Sequence, residues 1–215
     1  MFDQCHDLLN HFRHVLESQS DHGAISKFAT ALTTSTSTKT IHPKLDLPIV
    51  ERIPAILENS ANSSLASLFD AVGTIYDKLV WYAFYQRTTL TKSFIDEFAV
   101  ADVMGPEGPI VHENAILFLF IVGPNVLYPF HWHAADELYL ILSGNPSFRV
   151  GEMEWHQQQR GDIIHVPSLV PHSIRVGNEP MLAVQMWHGN IDQGSLFPVS
   201  ADGTPANVVR AAIEG

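Results

Sequence analysis

Between Tyr128 and Gly144 the chain reads Tyr-Pro-Phe-His-Trp-His-Ala-Ala-Asp-Glu-Leu-Tyr-Leu-Ile-Leu-Ser-Gly, and no other stretch of the 215 residues restricts the fold as tightly. Strand side chains alternate faces, so His131 and His133 are expected to project the same way. After a short turn through Ala134, Ala135 and Asp136, Glu137 and Tyr139 form a second same-face pair. Two neutral imidazoles and a carboxylate converging from neighbouring strands make a mixed nitrogen and oxygen site suited to one divalent transition metal. Such a donor set does not choose among zinc, iron, manganese, nickel and cobalt. A further histidine, His172, follows in Val-Pro-Ser-Leu-Val-Pro-His.

The surrounding pattern divides the chain near residue 100. Phe2, Cys5, Leu8, Leu9, Phe12, Val15 and Leu16 recur at three- and four-residue steps, which predicts an amphipathic helix over the first twenty residues. A second short helix is expected at residues 24–32, then a Ser/Thr-rich loop from Thr33 to Thr40 and an irregular segment punctuated by Pro43, Pro48 and Pro54. Leu65, Leu68, Phe69, Val72, Ile75, Tyr76, Leu79 and Val80 predict another helix from Ser63, continuing into Trp81–Tyr85. That aromatic cluster reads as core packing or as a pocket roof. Beyond residue 100 the texture changes. Ala115–Val122 is a continuous apolar run expected to be a strand buried on both faces. Short runs follow at Glu137–Leu142, Ser147–Val150, Glu154–Gln159, Asp162–Val166, His172–Val176 and Met181–Trp187, separated by Gly/Asn/Pro turns, as in a β-sandwich or barrel. After Gly189 the tail reads as loop, with a weak apolar pattern at Val208, Val209, Ala212 and Ile213. The expected organisation is therefore an α-helical region, residues 1–100, packed on a β-barrel, residues 101–215, that carries the metal site.

The spacing His131-x-His133-x3-Glu137-x6-Gly144, with Gly161-x5-Pro167-x4-His172, resembles the two motifs of the cupin family. The resemblance implies a mainly β, jelly-roll β-barrel with an α-helical N-terminal extension. Leu169 and Val176 stand where the second motif usually has Gly and Asn. With Tyr128, Tyr139, Trp187 and the helical first half added, the chain resembles more narrowly the bacterial dimethylsulfoniopropionate lyase cupins, most strongly over residues 115–190. That resemblance implies cleavage of dimethylsulfoniopropionate, a small zwitterionic sulfonium, into dimethyl sulfide and acrylate. It further implies His133, Glu137 and His172 as metal ligands, His131 as a fourth ligand or close neighbour, Tyr139 as general base, and Tyr128, His131 and Trp187 as substrate-binding residues. A homodimer is compatible with it.

The same chemistry can be argued from the residues. β-Elimination removes a weakly acidic proton beside a carboxylate, and a Lewis acid on that carboxylate stabilises the developing charge. A phenol ordinarily titrates near 10, and a neighbouring divalent cation favours its ionised form. The departing thioether is neutral and needs no acid. A sulfonium favours aromatic faces, worth roughly 1–2 kcal/mol per well-placed ring; Trp187, Tyr128 and Trp81 are candidates.

Composition narrows the rivals. A net charge of −11 argues against nucleic acid and anionic membranes as partners. A single cysteine, Cys5, excludes an intrachain disulfide. The N-terminus lacks a basic-then-apolar leader, so a cytoplasmic protein is expected. Twelve histidines make chance placements common, and His6, His14, His22, His42 and His156 lack ligand spacing. His112 and His188 read as neighbours of the site or as solvent-facing, and His165 as a pocket residue or a plain strand residue. The alternatives are another metal cupin, a dioxygenase or isomerase, or a non-catalytic ligand-binding cupin. Scattered Arg149, Arg160 and Arg175 disfavour a phosphosugar isomerase.

Overall fold

Strand alternation divides the protein's interior between two cores. The computed structural model describes residues 1–18, 23–33, 37–58 and 64–197 and the backbone of 206–208. Its helices are α1 (Phe2–Ser18), α2 (Gly23–Ala31), α3 (Ile53–Glu58) and α4 (Ala66–Ile75). Its strands are β1 (Trp81–Tyr82), β2 (Phe98–Met104), β3 (Ala115–Val122), β4 (Leu127–His131), β5 (Ala135–Ser143), β6 (Ser147–Val150), β7 (His156–Gln157), β8 (Ile163–Val166), β9 (His172–Arg175), β10 (Met181–Gly189), β11 (Ser195–Phe197) and β12 (Ala206–Val208).

One sheet runs β1-β2-β3-β10-β5-β8 and faces a second, β4-β9-β6-β7. Every pairing in both is antiparallel. The outer face of the larger sheet, with Ala99, Leu117, Leu119, Leu138, Leu140 and Val184, joins a core with Leu8, Phe12, Phe28, Phe69 and Val72 of the helices. Its inner face, with Phe118, Phe120, Tyr139, Ile141 and Trp187, packs against Phe148 and Ile174 of the smaller sheet. This explains why Ala115–Val122 has no polar side: helices cover one face and the opposite sheet the other. Each fully buried Leu or Phe in these layers contributes about 1.5–3 kcal/mol relative to exposure.

Several sequence expectations need correction. The helix expected to run from Ser63 through Tyr85 ends as α4 at Ile75, followed by a single 3-10 turn over Tyr76–Lys78. Trp81 and Tyr82 instead pair with Ala101 and Val100 as an edge strand. Strand β2 straddles residue 100, and Glu154–Gln159 shortens to His156–Gln157. Asp136, expected in a turn, already lies on β5. The tail is not all loop: β11 pairs with β12, and Leu196 also exchanges backbone bonds with Trp132. Residues Gln19, Ser20, His22, Ser63, Val209, Ala212 and Ile213, and 34–36 of the Ser/Thr loop, lie outside the described residues. Among the described residues no helix is long and apolar enough to cross a membrane.

Candidate metal centre and active site

Both sheets contribute to one enclosed group of polar side chains. On the larger sheet Glu137 stands opposite Trp187, and Tyr139 opposite Gln185, across the β5–β10 pairing. All four point away from the helices. On the smaller sheet His131 pairs with His172, and the link from β4 to β5 supplies His133. Gly144 closes the motif with a φ of +77°, and a Cβ there would meet the Pro180 carbonyl at 2.8 Å, so glycine is required on both counts.

One ring nitrogen from each of His131, His133 and His172 lies within 4.8 Å of the other two. The Nδ1 atoms are all engaged with backbone carbonyls: His131 with Pro129 at 2.9 Å, His133 with Ala135 at 3.0 Å and His172 with Val170 at 3.1 Å. Placing the ring proton on Nδ1 leaves each Nε2 with a free lone pair. Glu137 Oε2 faces two of these atoms, at 3.2 Å from His133 and 2.9 Å from His172. Its Oε1 accepts hydrogen bonds from Trp187 Nε1 at 2.6 Å and from the Gln185 amide. His131, His133, Glu137 and His172 are at most 2 % exposed. Lone pairs and a carboxylate oxygen converging in a buried site fit a divalent cation, with the Nδ1 and Oε1 partners fixing the orientation of these side chains.

Burial opposes ionisation of Glu137, but positive charge on the facing His133 and His172 rings would more than reverse this and hold its carboxyl well below the usual carboxylate range. Burial, with His172 and His133 alongside, holds the His131 imidazole well below its ordinary value. Burial and the Glu137 carboxylate push the Tyr139 phenol well up.

Around this group stands an aromatic wall. Tyr128 stacks on His131 at 4.1 Å between ring centroids, and Trp187 lies 4.2 Å from the His133 ring. Phe84 contacts Trp187, and the Tyr85 hydroxyl bonds to both Tyr128 and Ser195. Part of the aromatic cluster at 81–85 thus lines the site, whereas Trp81 is buried in the helix-side core with its Nε1 on the Tyr76 carbonyl. His165 faces Asp136 at 3.1 Å, on the helix side of the sheet. Sequence reasoning named Tyr85 only as part of the aromatic cluster at 81–85, and missed Gln185, Ser195 and Phe197, whose ring stacks on His131. Only Gln185 carried a signal, as a lone amide inside an otherwise apolar strand.

Two facing antiparallel sheets with histidines and a carboxylate gathered between them define a cupin. Residues 20–183 match the family model described as dimethylsulfoniopropionate lyase. The chain belongs to the dimethylsulfoniopropionate lyase family. It is 31 % identical over 139 residues to dimethylsulfoniopropionate lyase DddQ of Ruegeria pomeroyi, covering 63 % of this chain and 66 % of that protein. It is 24 % identical over 145 residues to putative dimethylsulfoniopropionate lyase DddL of Cereibacter sphaeroides, covering 66 % of this chain and 60 % of that one. The matches thus span somewhat less than two thirds of these relatives' own lengths. The crystal structure of DddQ from Ruegeria pomeroyi superposes with a TM-score of 0.74 over 94 % of this chain and 98 % of that one, at 24 % identity.

Proposed function

We propose that this chain is a metal-dependent carbon–sulfur lyase that cleaves dimethylsulfoniopropionate to dimethyl sulfide and acrylate by β-elimination. The observation that supports it most is a phenol, Tyr139, buried beside a carboxylate whose other oxygen turns toward two imidazoles. In this reading His131, His133, Glu137 and His172 hold one divalent transition metal. When bound, the cation supplies Lewis acidity to the substrate carboxylate and offsets the Glu137 charge that opposes ionisation of Tyr139.

The remaining steps belong to the protein's own groups. Tyr139 Oη, ionised to the phenolate, takes the proton from the carbon beside the substrate carboxylate and becomes the phenol. The freed electron pair forms the carbon–carbon double bond, and the carbon–sulfur bond breaks with its pair leaving on sulfur. Dimethyl sulfide departs neutral, and acrylate keeps the carboxylate. Tyr128, His131 and Trp187 bind the substrate, the aromatic faces matching its sulfonium. The helices of the first hundred residues buttress the sheet, to which β1 and the start of β2 also belong, and the barrel beyond residue 100 carries the metal site. The substrate is a small zwitterion rather than a nucleic acid or a membrane, and the single cysteine suits the cytoplasm.

Purified protein supplied in turn with zinc, iron, manganese, nickel or cobalt ions should form acrylate from this substrate, and a chelator should stop it. Acrylate formation that survives exhaustive chelation contradicts the metal dependence. No acrylate with any of the cations contradicts the lyase reading.

A further inference from the structure

Gln185 interrupts a strand that is otherwise apolar from Met181 to Trp187, and it is 7 % exposed. Its Nε2 donates to Glu137 Oε1 and lies 3.3 Å from the Tyr139 hydroxyl. Its Oε1 is buried with no hydrogen-bond partner among the described residues. A buried, unpaired amide oxygen costs about 1–3 kcal/mol, yet turning the amide over would press that oxygen against an ionised carboxylate. The carboxylate therefore dictates the orientation, and the two amide hydrogens serve Glu137 and Tyr139 together.

We propose that Gln185 is a positioning residue of this site: one amide group locks the free oxygen of Glu137 so that the other faces His133 and His172, and ties the Tyr139 hydroxyl to the same carboxylate. This rests on the metal-lyase reading above. It extends that reading by coupling ligand geometry and the position of the base through one side chain on the neighbouring strand. Glu137 keeps a second donor, Trp187 Nε1, on the same oxygen. Loss of Gln185 therefore loosens the carboxylate without freeing it, whereas Tyr139 loses the tie that bonds it to β10.

Substitution of Gln185 by Met keeps the volume and removes both donors. Cobalt(II) titration followed by its visible absorption reads the ligand geometry without reference to turnover. Gln185→Met should bind cobalt roughly 10- to 100-fold more weakly, the range for loss of a residue that orients a ligand, and show an altered spectrum. At saturating cobalt its kcat for dimethylsulfoniopropionate should fall at least about tenfold with KM little changed. If Gln185→Met fails to melt cooperatively, Gln185→Asn, one methylene too short to serve both partners, should give the same pair of effects. A folded variant with wild-type cobalt affinity, spectrum and kcat overturns the inference while leaving the lyase reading intact. A wild-type chain that takes up no cobalt overturns the metal reading, and this inference with it.

Discussion

His172 Nε2 lies 2.9 Å from Glu137 Oε2 and makes no hydrogen bond with it. Where the His172 Nδ1 donates its proton to the Val170 carbonyl, the contact brings two lone-pair-bearing atoms together in a buried site. Such a pair is repulsive unless a cation lies within reach of both.

Opposite effects on stability and metal affinity should therefore follow from Glu137→Gln. Its amide oxygen can keep the Gln185 and Trp187 donors while its NH2 offers hydrogens to His133 and His172. Metal-free Glu137→Gln should be more stable than metal-free wild type by about 1 kcal/mol, the net worth of a hydrogen bond regained. It should nevertheless gain far less from added metal. Thermal unfolding with and without cobalt checks both. Wild type at 100 times the dissociation constant should gain about 2.7 kcal/mol.

Leu169 stands where the second cupin motif usually has glycine, and it adopts a φ of +62° with its side chain exposed. Its N–H bonds to the His133 carbonyl at 2.8 Å, so the loop carrying this strained residue braces His133. A left-handed conformation costs a non-glycine residue about 1–2 kcal/mol, partly offset by glycine's greater freedom when unfolded. Leu169→Gly should raise stability by about 0.5–1 kcal/mol by chemical denaturation. Gly144→Ala, at φ +77° with a 2.8 Å clash awaiting its Cβ, should lower stability by more than that.

Most of the candidate metal-binding set was legible because it is local: His131 ends β4, His133 lies in the short link and Glu137 follows at the start of β5, whereas His172 arrives from β9. The errors arose where distant partners decide the structure. Leu79 and Val80 continue a helical period, but Trp81 and Tyr82 are drawn into the sheet by Ala101 and Val100. Strand β2 was missed because Ala99, Ala101 and Asp102 interrupt its run of strand-forming residues, although all of it is buried. Gln185 reads alone as a stray amide, and its meaning depends on Tyr139 standing opposite it across the pairing.

On the other face of β5, Asp136 meets Lys27 of α2 and His165 of β8. Burial pushes its carboxyl up, but Lys27 and His165 outweigh this and hold it below its ordinary value of 3.8. A depressed folded value means the contribution is present above the unfolded pKa and is lost as pH falls through the folded one. With both Asp136 and Lys27 partly exposed, Asp136→Asn should lower stability by up to about 1 kcal/mol at neutral pH. The difference should vanish as the pH drops below about 4, where the unfolded carboxyl titrates. Urea titrations of both proteins across that window give the test.

Tyr139→Phe keeps the ring in its core between Phe120 and Phe148 and removes only the hydroxyl. Headspace measurement of dimethyl sulfide from metal-loaded wild type and Tyr139→Phe, with bound metal assayed in the same samples, tests the central claim most directly. The account predicts that the variant keeps its metal and releases dimethyl sulfide at least about 100-fold more slowly, as expected for loss of a general base. Equal release by the two proteins at equal metal content would contradict it.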